Sequence, residues 1–191
     1  QRRKRRYLGV SFAASHAIHA VAIAVFAAMD PLGFMTATSA ASYWFGGIGY
    51  AFIIAAKYGS QYPERKLTFL NRGVSGNTVA DLAKRWEKDT TALKPDILSI
   101  LIGINDMGRG VSTEAFEEAY DKLLSETAKA LPSTRLVLCE PFALPVGSYK
   151  QNWDDRRAEL TKRQAVVEKL AVKYHASLVR FQKVFDDASK R

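Results

Sequence analysis

Apolar and polar positions follow two regimes along this chain. From Tyr7 to Ala56 the only formally charged residue is Asp30, whereas charged side chains are frequent from Lys57 onward. In that second part the apolar spacing switches repeatedly between strand-like runs and helix-like stripes. Lys66–Leu70 predicts a strand, and Thr78 to about Thr91 a helix with Val79, Leu82 and Trp86 on one face. Pro95-Asp96 leads into a strand over Ile97–Ile102. Ser112 or Thr113 can cap a helix whose first turn holds Glu114, Glu117 and Glu118, a charge placement that suits the helix dipole. Its apolar stripe is Phe116, Tyr120, Leu123 and Leu124, and Pro132 follows its end. Arg135–Glu140 reads as the next strand, with a loop through Pro141, Pro145 and Gly147 behind it. Asp154–Tyr174 reads as a long amphipathic helix burying Leu160, Val167, Leu170 and Tyr174, and Ser177–Phe181 as a closing strand. Repeated β-α units of this length imply a parallel sheet covered on both faces.

The front of the chain reads differently. Tyr7 to Met29 is a charge-free run long enough to cross a bilayer, which takes about 20 apolar residues, and Asp30-Pro31 stops it. A second apolar stretch, Tyr43–Ala56, contains Gly46, Gly47 and Gly49 and spans only if Thr36–Ser42 contribute. The basic cluster Arg2, Arg3, Lys4, Arg5 and Arg6 ahead of the first run predicts a membrane-associated protein with a cytoplasmic N-terminus. A signal peptide over residues 1–41 is the competing reading, and it makes the rest an exported protein. Arg5-Arg6-Tyr7-Leu8 is loosely like a twin-arginine signal, and Ser39-Ala40-Ala41 supplies small residues for cleavage. The apolar core exceeds the usual signal length, which favours a retained segment. The division predicted is a basic end plus membrane-like segment over residues 1–48, then a second unit over residues 49–191.

Composition narrows the partners. The 191 residues are 48% hydrophobic and 25% charged, ordinary for one globular domain with an appendage. Net charge is +9, but much of it sits in the terminal cluster. Nucleic-acid binding would call for Lys and Arg spread over a face with interleaved aromatics, and that pattern is missing. Cys139 is the single cysteine, so no intrachain disulfide can form, and its place in Leu136-Val137-Leu138-Cys139 predicts a buried thiol.

Candidate chemistry lies at two strand ends. The run Ile100-Leu101-Ile102 breaks into Gly103-Ile104-Asn105-Asp106, and Leu67-Thr68-Phe69-Leu70 leads into Asn71-Arg72-Gly73-Val74-Ser75-Gly76-Asn77-Thr78. Each strand thus delivers a Gly and an Asn to its carboxyl end, where open α/β sheets build their sites. Acyl transfer needs fixed neutral N–H donors where a carbonyl oxygen becomes an oxyanion, and a glycine amide and an asparagine side chain meet that need. Taken alone, Gly-x-Asn-Asp also reads as a plain strand-end turn.

Together the two loops resemble the SGNH (GDSL-type) ester hydrolases over about residues 49–191. Gly76 falls on the glycine of that family's second block and Asn105 on the asparagine of its third. The resemblance implies a three-layer α/β/α, flavodoxin-like fold preceded here by the apolar membrane-like segment. It implies cleavage of carboxylic esters, often acyl or acetyl groups on sugars or lipids, by a serine nucleophile without cofactor or metal. The Gly76 amide and the Asn105 side chain would be two of three oxyanion donors. The family's Gly-Asp-Ser block, source of the nucleophile, occurs nowhere in the sequence. Its Asp-x-x-His block is also missing: His16, His19 and His175 are the only histidines, and no His follows Asp186 and Asp187. The nucleophile strand should lie just before residue 49, where apolar membrane-like sequence stands, and without it neighbouring strand edges would be unpaired.

Other readings compete. His16 and His19 share a helix face, and intramembrane imidazoles can bind haem iron. Residues 1–56, with Arg6-Tyr7-Leu8-Gly9 through His19 and Tyr43-Trp44-Phe45-Gly46-Gly47, are weakly similar to ferric-reductase-like haem membrane proteins, which implies haem and electron transfer. Two histidines hydrogen-bonded across helices explain the pair as well. A non-catalytic SGNH-like fold is the third alternative. His175 is expected to end the long helix structurally, Trp86 and Trp153 to anchor core or loop, and Asp106 to brace its own loop through local hydrogen bonds.

Overall fold

The computed structural model describes residues 7–12 and 50–190. Five parallel strands form one sheet in the order β2-β1-β3-β4-β5, with β1 Tyr7–Phe12, β2 Thr68–Asn71, β3 Ile97–Leu101, β4 Arg135–Cys139 and β5 Ser177–Val179. Val10 of β1 lies in register between Asn71 of β2 and Ser99 of β3. The sheet therefore takes an interior strand from the part of the chain ahead of residue 49, and that strand fills the place expected to be empty.

This corrects the membrane helix proposed from Tyr7. Residues 7–12 are extended and paired on both sides, and interior strands of parallel sheets share the near-continuous apolar composition of a membrane run. Residues 13–29 lie outside the described residues. The second apolar stretch ends in α1, Tyr50–Gln61, a helix of 12 residues. No helix among the described residues is long and apolar enough to cross a membrane.

Alternation along the strands sends side chains to two helical layers. On one face Leu98, Ile100, Leu136 and Leu138 pack with α2 (Val79–Asp89), α4 (Thr113–Ala130) and α5 (Trp153–Lys173) through Val79, Leu82, Trp86, Phe116, Tyr120, Leu124, Val167 and Leu170. On the other, Leu101, Cys139 and Phe142 meet Tyr50 of α1 and Phe181 and Phe185 of α6, Phe181–Ala188. The rings of Phe142 and Phe185 stack with centroids 4.1 Å apart. This is a three-layer α/β/α fold on a parallel sheet.

Local chemistry sets the helix starts. Thr78 Oγ1 accepts from the Asp81 amide at 3.3 Å while the Thr78 amide donates to Asp81 Oδ2 at 3.2 Å, a reciprocal capping box opening α2. Ser112 Oγ accepts from the Ala115 amide at 3.1 Å and opens α4. Two helices were missed in the sequence: α3, Ile104–Gly108, and α6. Five residues after a glycine carry no periodic signal, and in the sequence Phe181 reads as the end of the strand that stops at Val179.

Candidate active site

The site is built at the carboxyl ends of β2 and β3. Gly103 follows β3 with φ +113°, and a Cβ there would stand 3.0 Å from the Phe116 ring and 3.4 Å from Pro141. Only glycine fits both the conformation and the space. That turn starts α3 at once, which places Asn105 and Asp106 in its first turn. After β2 the chain turns through Val74 to Asn77, whose amide donates to the Val74 carbonyl at 3.3 Å, with Gly76 at φ +85°.

The two loops are tied directly to each other. The Asn105 side-chain amide donates from Nδ2 to the Asn77 carbonyl at 3.0 Å. The Arg109 guanidinium donates to the Gly76 carbonyl at 2.7 Å and to Asp81 Oδ2 at 3.1 Å. The Val79 amide, at the start of α2, donates to Asp106 Oδ1 at 3.1 Å. Arg85 adds an outer brace, Nε to Asn77 Oδ1 at 3.0 Å and Nη1 to the Arg72 carbonyl at 2.8 Å. Gly76 and Asn105, selected from sequence, therefore sit on loops in direct contact. The Asn105 amide carries a second N–H beyond the one bonded to Asn77.

Charge at the site is uneven. Asp106 is only 2% exposed, and burial raises its carboxyl pKa against the opposing pull of the Val79 amide. Its Oδ2 has no hydrogen-bond partner among the described residues. Beyond its own loop, Asp106 reaches back 27 residues to another element through its bond with the Val79 amide. Asp81 is held down to about 2, first by the Thr78 amide and then by Lys84. Behind α3 the buried Arg163 guanidinium donates to the Val111 carbonyl and to Glu159, fixing the chain after α3 onto α5.

Other candidates lie apart. Asp186 accepts from Gln182 at 2.7 Å and pairs with Arg157 at 3.4 Å, while Gln182 also bonds Ala143 and its amide donates to Glu140. Asp187 pairs with Lys183. His175 is exposed with φ +51° just after α5, and it leads into the amino end of β5, the sheet edge opposite Asn105. Its amide donates to the Val172 carbonyl and the Ala176 amide to the Ala171 carbonyl, a Schellman closure. His16 and His19, the haem candidates, lie outside the described residues. Among the described residues no group of His, Cys, Asp and Glu could hold a metal ion. A cavity of about 610 Å³ lies between α1 and the sheet, lined by Tyr50, Phe69, Ile97, Val137 and Phe181, and includes neither Gly76 nor Asn105. Sequence reading missed Arg85, Arg109 and Asp81, whose roles arise from contacts between separate elements.

Comparison with known proteins adds the lineage. The acetylxylan esterase of Geobacillus stearothermophilus is 31% identical over 154 residues, covering 75% of this chain and 68% of that protein. Its crystal structure superposes with a TM-score of 0.70 at 27% identity, over 97% of this chain and 80% of that one. A GDSL-like lipase-type protein from Parabacteroides merdae superposes with a TM-score of 0.74 at 28% identity, over 97% of this chain and 81% of that one. None of these likenesses supports the haem membrane reading of residues 1–56. Residues 36–191 match the model of one family, and the chain belongs to it: the GDSL-like lipase/acylhydrolase family.

Proposed function

We propose that this chain is a module of a serine ester hydrolase that removes acyl groups, acetyl foremost, from a carbohydrate. The Gly76 amide and the Asn105 side chain would hold the oxyanion of the tetrahedral intermediate. The observation that carries the proposal is the bond from Asn105 Nδ2 to the Asn77 carbonyl, which fixes a neutral amide donor beside the loop of Gly76. A donor held before the reaction needs no reorganisation when charge develops on the substrate oxygen. The strand order reverses between β1 and β3, the crevice where such sheets bind ligands, so the serine belongs after β1. The sequence there reads Ala13-Ala14-Ser15 and not Gly-Asp-Ser. The similarity to an acetylxylan esterase supports a sugar ester as substrate.

The test restores both family blocks, a Gly-Asp-Ser directly after Phe12 and an Asp-x-x-His beyond residue 191, and measures hydrolysis of p-nitrophenyl acetate. Asn105→Ala in that protein should lower turnover by about 10²–10³ with little change in KM, because the amide meets charge present only in the transition state. Unchanged turnover in Asn105→Ala would remove Asn105 from the site.

A further inference from the structure

We infer that Arg109 is a positioning residue for the Gly76 oxyanion donor, one half of a two-point clamp that α3 and the residue after it close on the turn Val74 to Asn77. The inference rests on the ester-hydrolase reading for what that donor does, and on the following contacts for its place. The Asn77 amide bonds the Val74 carbonyl, and within the turn Gly76 alone has positive φ, the signature of type II. The Gly76 N–H lies in the central peptide of that turn, which takes no part in the closing bond. Among the described residues no acceptor meets this N–H.

The two carbonyls that follow are both held from one side. Arg109 Nη2 donates to the Gly76 carbonyl at 2.7 Å, and Asn105 Nδ2 donates to the Asn77 carbonyl at 3.0 Å. Asn105 and Arg109 stand one helical turn apart, with the Arg109 amide on the Asn105 carbonyl at 2.9 Å. A single bond leaves the turn free to pivot about it, whereas two bonds to successive carbonyls fix its orientation. The placing of the Gly76 N–H relative to the Asn105 amide is therefore set by Arg109 as well as by Asn105. Arg109 is braced in turn by Asp81 Oδ2 at 3.1 Å, the acceptor of the α2 capping box. Its side chain is 58% exposed, and solvated ion pairs add little to stability. Losing the guanidinium should thus loosen the turn without unfolding the protein.

Nuclear magnetic relaxation of ¹⁵N in the 191-residue chain reads the clamp without any chemistry. The order parameter of the Gly76 amide is expected near the rigid value of about 0.85 in the parent and below about 0.6 in Arg109→Ala, with urea unfolding close to the parent's. In the protein with both family blocks restored, Arg109→Ala should lower kcat about tenfold or more at nearly constant KM, because the donor it places meets charge only in the transition state. Arg109→Lys should recover only part of that loss, since an ammonium lacks the fork that holds the Gly76 carbonyl and Asp81 together. Added methylguanidinium should raise the turnover of Arg109→Ala and leave that of Asn105→Ala unchanged. A rigid Gly76 amide in Arg109→Ala would overturn the clamp, as would parental kcat in Arg109→Ala where Asn105→Ala has lost its turnover. Full turnover in Asn105→Ala would instead sink the ester-hydrolase reading, and the order parameter would still decide the clamp.

Discussion

Asp106 shows how a single side chain joins two loops. Its Oδ1 is the acceptor for the Val79 amide, so Asp106→Ala would orphan a buried donor and should cost about 1–3 kcal/mol in urea unfolding. Burial raises this carboxyl's pKa in the fold. The stability that its neutral form contributes is then present below the unfolded pKa of about 3.9 and is lost as pH rises through the folded value. Asp106→Asn keeps an acceptor without the charge, so it should unfold with less pH dependence than the parent between acid and neutral pH. His175 is a second test, because its left-handed backbone, φ +51°, favours glycine. His175→Gly should stabilise by roughly 0.5–1 kcal/mol and leave chemistry untouched. Gly76 at φ +85° is the reverse case: a Cβ would meet only the Arg109 Nη2 at 4.0 Å, so Gly76→Ala is opposed by backbone strain and not by crowding from the protein. Gly76 and Asn105 were legible because each lies in a short motif at a strand end. Arg109 and Asp81 were not, since their ion pair joins residues 28 apart in sequence and no local pattern encodes it.

At the scale of elements, β2 to β5 follow from short apolar runs and α2, α4 and α5 from helical stripes, because burial writes itself directly into the sequence. Thr78, Val79, Leu82 and Trp86 gave both the start and the buried face of α2. The capping box makes a quantitative prediction: Thr78→Ala should cost about 1 kcal/mol. Asp81, its reciprocal partner, has its pKa lowered to about 2. That contribution is fully present above the unfolded pKa of about 3.9 and should fade as pH falls through about 2, a slope that Asp81→Asn removes from acid unfolding curves. Between helices, Trp86 Nε1 donates to Thr127 Oγ1 at 2.8 Å in the core. Thr127→Val keeps the shape but leaves the indole donor unpaired, and should cost about 1–3 kcal/mol by thermal or urea unfolding. No local pattern encodes that bond, because Trp86 and Thr127 lie 41 residues apart.

At the scale of the whole molecule, the ambiguous element was β1. Hydropathy cannot separate a strand covered on both faces from the first third of a membrane helix, and the charge-free sequence that follows Phe12 favoured the longer element. Pairing settles it, since β1 aligns with Thr68–Asn71 on one side and Ile97–Leu101 on the other. The unrestored 191-residue chain should hydrolyse p-nitrophenyl acetate little faster than buffer. Its sequence holds neither Gly-Asp-Ser nor Asp-x-x-His, and losing the serine or the histidine of a serine triad removes on the order of 10⁶ in rate. Fluorophosphonate-sensitive turnover would reveal a serine outside the family's motif. The fold itself is tested by Val10→Pro. Proline in an interior strand removes a ladder hydrogen bond and cannot be relieved at an edge. Val10 sits between Asn71 and Ser99, so β2 would be cut off from the rest of the sheet. Against a total stability of about 5–15 kcal/mol, that loss should abolish the cooperative unfolding transition and expose the amides of β2 and β3 to rapid hydrogen exchange. If Val10→Pro melted like the parent and kept those amides protected, β1 would not belong to the sheet, and a membrane role for residues 7–29 would return.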